Sequence, residues 1–205
     1  MRNDIARLCD PCEPQNRYRK DAALKLYRRP GFAGLACSDG GAAERHLADA
    51  LGCARDRGTF SEPLRQAIVD WPSEYHLSRE RHCVVRPLDI REGDRVLELG
   101  CGCGAVTRYL GEIGAVVAAV EGAPQRARIA AERCGDLPNV TVFNDDVLAF
   151  ESEARFDWVL LIGVLEYAAG LIERLGVFVL CGVAGILAAI PRATERTRSR
   201  NGPLR

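Results

Sequence analysis

Arg95-Val-Leu-Glu-Leu-Gly-Cys-Gly-Cys-Gly-Ala-Val-Thr-Arg-Tyr-Leu110 is the most informative stretch of the chain. Val96, Leu97 and Leu99 form a short apolar run of strand type behind Gly93-Asp94. Gly100, Gly102 and Gly104 allow a tight turn, and Val106, Leu110 and Ile113 follow at helical spacing. A strand, a glycine turn and a helix N-terminus together present backbone N–H groups to a ligand, and the glycines let it come close to the main chain.

Glu98 bears on which ligand that is. A pyrophosphate site offers N–H groups to negative charge, and a carboxylate inside the loop would repel it. A carboxylate two residues before the first glycine suits a cationic group instead, such as the amino group of a methionine moiety. Glu98-x-Gly100-x-Gly102-x-Gly104 resembles the first motif of class I S-adenosylmethionine (SAM) methyltransferases. Gly100, Gly102 and Ala105 also satisfy the looser dinucleotide fingerprint, so the turn alone leaves both open.

The segments that follow arbitrate. Ala115 to Val120 is an unbroken apolar run, the pattern of a buried parallel strand, and it ends in Glu121. An acid there accepts from ribose hydroxyls in dinucleotide folds and SAM enzymes alike. Pro124 starts a helix filled by Ala127 to Cys134 and stopped by Gly135, and Val140 to Phe143 reads as a third strand. Asn144-Asp145-Asp146-Val147-Leu148 resembles the methyltransferase motif in which an acid accepts from the adenine amino group and an apolar neighbour holds the ring. Asp146 aligns best and Asp145 is the alternative. Phe156 to Ala168 resembles the fourth motif of small-molecule methyltransferases, including bacterial enzymes that modify saccharides or other metabolites. It lacks the Asn/Asp-Pro-Pro-Tyr/Phe sequence of adenine and glutamine N-methyltransferases, which disfavours nucleic-acid and protein glutamine acceptors.

The resemblance spans roughly residues 75 to 168. It implies an α/β fold, a Rossmann-like, mostly parallel sheet with helices on both faces and incomplete C-terminal strands. It further implies a SAM-dependent methyltransferase with a small-molecule acceptor and no nucleic-acid partner; no metal is expected, on the cysteine spacing below. The SAM-binding residues it implies are Glu98, Gly100, Cys101, Gly102, Gly104, Glu121, Gly122, Asp145, Asp146, Val147 and Ile162. No catalytic residue is assigned; Glu166 and Tyr167 are candidates only to face substrate. Two alternatives stand beside it: a non-catalytic SAM-binding remnant, and an NAD-dependent dehydrogenase supported only by the looser glycine pattern.

Outside this region the expectations are plainer. Residues 1–74 read as a helical and irregular extension, 75–190 as the SAM-binding domain and 191–205 as a disordered basic tail. Met1 to Gly41 shows little periodicity, and Ala42 to Leu51 reads as a short helix. Ser61-Glu62-Pro63 opens another that Trp71-Pro72 ends, and Ser78 caps one running to Arg86. Tyr75 and His76 lie either near the SAM site or, the favoured reading, on a helix packed at the sheet edge.

A full class I domain has seven strands, and 37 residues follow Ala168, so the tail reads as truncated. Val177 to Cys181 is the expected fifth strand. It lies in the apolar run Leu175 to Ile190, which falls short of the roughly 20 residues of a membrane span. The run is expected to pack against the sheet rather than to anchor the chain.

Lys plus Arg and Asp plus Glu both number 28, so a strongly basic nucleic-acid binder is not indicated. The charged Met1 to Asp10 has no signal-peptide pattern. The nine cysteines are odd in number and two lie in the glycine turn, which reads as a reduced, cytoplasmic protein. Cys9-x-x-Cys12 lacks the second close pair of a zinc site.

Overall fold

The computed structural model describes residues 17–35, 39–152, 154–164, 180–182 and 185–189. Its centre is the strand β3, Arg95–Leu99, buried because both edges are paired. On one side lie β4, Val116–Glu121, and then β5, Val140–Asn144; on the other lies β6, Trp158–Ile162. All three contacts are parallel, with Val96 opposite both Val117 and Trp158, and Val120 opposite Phe143. Parallel neighbours need crossovers, and helices supply two of them: α4, Ala105–Glu112, and α5, Pro124–Arg133.

The sheet extends further at both ends. Beyond β5 lie β2, Leu26–Arg28, parallel to it, and β1, Arg19–Lys20, antiparallel to β2. Beyond β6 lies an antiparallel pair, β7, Leu180–Gly182, and β8, Gly185–Ala189. The order is β1-β2-β5-β4-β3-β6-β8-β7. β3 is therefore central, and the polypeptide leaves it into the glycine turn where the strand order reverses, the place at which open α/β sheets bind ligands.

Helices α4 and α5 cover one sheet face, where Val106, Leu110, Ala127 and Ala130 pack on Val96, Val117, Val142 and Leu160. On the opposite face Leu99, Val120, Phe143 and Leu161 are covered by Tyr18, Tyr27, Phe150 and Phe156 among the described residues. A third cluster joins Leu47 and Leu51 of α1, Gly41–Cys53, and Leu64 of α2, Glu62–Gln66, to Ile129 of α5 and Cys103 of the turn. Helices α1 and α2 are thus packed on α5 and the turn.

The structure differs from the sequence expectations in four places. Leu26–Arg28 lies within the stretch expected to be irregular, yet Leu26 is fully buried and pairs with Val142. Trp71-Pro72 starts a helix rather than ending one: α3 is Trp71–Leu77. Asp70 caps it, accepting from Ser73 N–H and Ser73 Oγ, while Ser73 Oγ accepts from Asp70 N–H. Pro72 sits in the first turn, where its missing N–H is not needed. The segment after Ser78 is a 3-10 turn, Arg79–Val84, rather than a helix to Arg86.

Finally, the expected fifth strand, 177–181, lies partly outside the described residues. Its described part belongs to β7, and the strand beside β6 is the antiparallel β8. The described parts of the apolar run 175–190 therefore add to the sheet. No helix among the described residues is long and apolar enough to cross a membrane.

Candidate functional site

The turn after β3 is held by main-chain bonds. Gly100 and Cys101 N–H both donate to the carbonyl of Val120, at 2.8 and 3.0 Å. Gly100 has φ 81° and a Cβ there would lie 2.1 Å from Val164, so two constraints demand glycine. Gly104, φ 75°, caps α4 against the backbone of Ala130, where a Cβ would sit at 3.0 Å. The glycine spacing seen in the sequence thus reflects the close approach of β6, the turn and α5.

The turn forms one wall of an open cleft. Glu98, Gly100, Cys101, Gly102 and Ile162 line it from the sheet, and Tyr75, His76 and Arg81 line it from α3 and the following turn. Glu98 is 3% exposed and accepts one hydrogen bond, from Thr107 Oγ1 at 2.6 Å. Burial pushes its carboxyl up to about 7, against the pull of Thr107 and the Arg81 guanidinium, while the negative charge of Glu121 adds to the rise. The Glu98 carboxyl and the Arg81 guanidinium therefore share one cleft.

Glu121 ends β4 beside the turn. One oxygen accepts from Gly102 N–H and the other from Ala123 N–H, both at 2.8 Å. Each oxygen keeps a lone pair for a further donor. Burial raises this carboxyl too, while the three N–H groups around it, of Gly102, Gly122 and Ala123, hold it down.

The remaining predicted residues lie beyond the cleft. Gly122 is covered by Leu35, whose N–H donates to the Gly122 carbonyl at 2.9 Å. Asp145 is buried and already engaged: Tyr18 Oη donates to it at 2.6 Å and Arg29 Nη1 at 3.0 Å. Asp146 is half-buried and accepts from Leu148 N–H at 2.9 Å, and Val147 packs beside Phe143 and Phe150. Of the two aspartates, Asp146 is the one not bound by side chains of the N-terminal segment.

Tyr75 and His76, expected at the sheet edge, instead line the cleft. His76 is buried; its Nε2 lies 2.9 Å from Asp39, which also accepts from Arg126. Burial lowers the His76 pKa and so favours the neutral ring, opposed by the Asp39 carboxylate. The carbonyl of His76 accepts from Arg133 Nη1 at 2.7 Å, tying α3 to α5. Arg81 stands over the Tyr75 ring, 4.0 Å from its centroid. Arg81 had no signature in the sequence, because a lone arginine in an arginine-rich chain does not announce the face it occupies.

Residues 96–175 match a family model described as a methyltransferase domain. The chain is 34% identical over 125 residues to a ubiquinone biosynthesis O-methyltransferase of Methylocella silvestris, covering 58% of this chain and 47% of that protein. It is 33% identical to a demethylmenaquinone methyltransferase of Tropheryma whipplei over 42% of this chain and 36% of the relative. A 40% identical stretch is shared with ribosomal RNA small subunit methyltransferase A of Lactiplantibacillus plantarum, over 33% of this chain and 23% of that one. The chain spans less than half the length of these curated relatives. With the glycine turn, the acid at the end of β4 and the parallel order around β3, these matches show that residues 96–175 carry a methyltransferase domain similar to those of class I SAM-dependent methyltransferases.

Proposed function

We propose that this chain binds SAM across the C-terminal ends of β3, β4 and β5 and transfers its methyl group to a small-molecule acceptor. The observation that carries the reading is the pairing of Glu98 and Arg81 in one cleft. An α-amino acid presents an ammonium and a carboxylate, and this cleft offers one partner for each. Glu121 then meets the ribose hydroxyls with its remaining lone pairs. Asp146 and Val147 take the adenine edge and ring, and Asp145 supports them from below through Tyr18 and Arg29. Ile162, at the end of β6, faces the reacting centre.

SAM supplies a methyl group already activated on a sulfonium. The chain's contribution is orientation and exclusion of water, which removes the entropic part of the barrier. Cys101 is not the nucleophile in this scheme: burial holds its thiol far up, so no thiolate is present near neutral pH.

Two observations support a small acceptor. The quinone-pathway relatives bear names of small-molecule methyltransferases. The charge is balanced, whereas an RNA substrate is held by excess positive charge.

The test is calorimetry with SAM, S-adenosylhomocysteine and NAD. SAM and its demethylated product are expected to bind, and NAD is not. Glu121→Ala, which strips the ribose hydroxyls of a charged acceptor, is expected to weaken SAM by about 1.5–3 kcal/mol. Tight NAD binding, or unchanged SAM affinity in a folded Glu121→Ala variant, would refute the assignment.

A further inference from the structure

Trp71 is 66% exposed and Val69, two residues before it, is 71% exposed. An indole left in water is a large apolar surface without a cover. It is not isolated from the cleft. Its ring lies 5.4 Å from that of Tyr75, tilted by 31°, and Tyr75 lines the cleft. The Tyr75 ring is already used, because Arg81 stands over it. Its hydroxyl reaches Gly163 at the exit of β6, 2.9 Å from where a Cβ would be. Arg81, Tyr75 and Trp71 therefore form a ladder from the cleft to solvent, with the indole as its outermost step.

We propose that the exposed indole of Trp71 is the platform on which an acceptor bearing a neutral aromatic ring stacks as it enters the cleft. The proposal rests on the SAM reading above. Three features select the ligand class. The flanking side chains Val69 and Pro72 are apolar, so they offer nothing to the hydroxyls of a saccharide. The carboxylate of Asp70, the preceding residue, is occupied by Ser73 N–H and Oγ. Glu74, exposed one turn along α3, disfavours an anionic ring at the same place.

The test uses phenol and cyclohexanol, which differ in aromaticity and little else, with methyl α-glucoside as the saccharide probe. Saturation-transfer NMR on the full chain reads their binding with and without S-adenosylhomocysteine, and calorimetry reads S-adenosylhomocysteine separately. Phenol is expected to bind detectably and cyclohexanol and the glucoside far more weakly. Trp71→Ala is expected to weaken phenol about three- to tenfold and Trp71→Phe to restore most of it. S-adenosylhomocysteine affinity is expected to stay the same in both variants. Equal binding of phenol and cyclohexanol, preference for the glucoside, no phenol binding, or phenol binding indifferent to Trp71→Ala would each overturn the platform. Absence of S-adenosylhomocysteine binding to the wild-type chain would instead overturn the cofactor reading, and the phenol titration without it still judges the platform.

Discussion

Glu98 sits two residues before the first glycine and, in the fold, at the floor of the cleft, where burial raises its carboxyl to about 7. The groups facing it are Thr107 of α4, Arg81 of the turn after α3 and Glu121 of β4. The folded state holds the proton more tightly than the unfolded chain, whose glutamate titrates near its ordinary 4.5. That stabilisation of the ligand-free protein is complete below the ordinary value and is lost as pH rises through about 7. An ammonium needs the carboxylate form, so SAM affinity should rise over the same interval and binding should release a proton at slightly acid pH. Calorimetry at one such pH, in buffers of different ionisation enthalpy, measures that proton directly. Glu98→Gln should remove the proton release and flatten the slope of stability against pH, leaving the share that buried Glu121 contributes; an unchanged slope would assign it to other groups.

Among the elements, α3 does most to complete the cleft, since it carries Tyr75 and His76 and leads into Arg81. Seven residues make too short a helix to stand on propensity. It stands on the reciprocal cap of Asp70 and Ser73, on the Arg133 bond to the His76 carbonyl and on buried Leu77. Ser73 is 1% exposed and its hydroxyl accepts from Val69 and Asp70 N–H groups. Ser73→Ala should therefore lower stability by about 1–3 kcal/mol through those lost partners, read by urea denaturation. The variant should also weaken SAM, because the wall opposite the glycine turn loosens. Loss of stability with no change in SAM affinity would show that α3 is scaffold only. The glycine turn is the other such element: Gly100→Ala meets both a positive φ and Val164, and should abolish SAM binding before it unfolds the chain.

Over the whole molecule, the N-terminal segment is part of the sheet. Leu26 of β2 is fully buried and pairs with Val142, more than a hundred residues away in the chain. Leu26→Ala should cost about 2–5 kcal/mol, the range for emptying a buried leucine site, measured as a shift in the urea midpoint. A cost under about 1 kcal/mol would mean that β1 and β2 lie on the sheet without supporting it. The same segment brings Tyr18 and Arg29 to Asp145 and lays Leu35 over Gly122. Stability and the adenosine end of the proposed site are therefore linked through residues 17–35.

Local pattern was enough for the centre of this protein. The apolar runs of β3, β4, β5 and β6, the glycine spacing and the acids Glu98 and Glu121 are read within a few residues of each other. Each reflects a backbone or burial requirement of its own element. The same kind of reading failed where the requirement came from elsewhere. Leu26–Arg28 is three residues long, too short for any period, and becomes a strand because β5 offers an edge. Trp71-Pro72 reads as a helix end, and the Asp70–Ser73 cap makes it the first turn of α3 instead. Arg81 enters the cleft, and Asp145 accepts from Tyr18 and Arg29, only because distant segments meet there. Periodicity records which face of an element is buried; it does not record what that face is buried against, and the partners of the cleft are settled by that second fact.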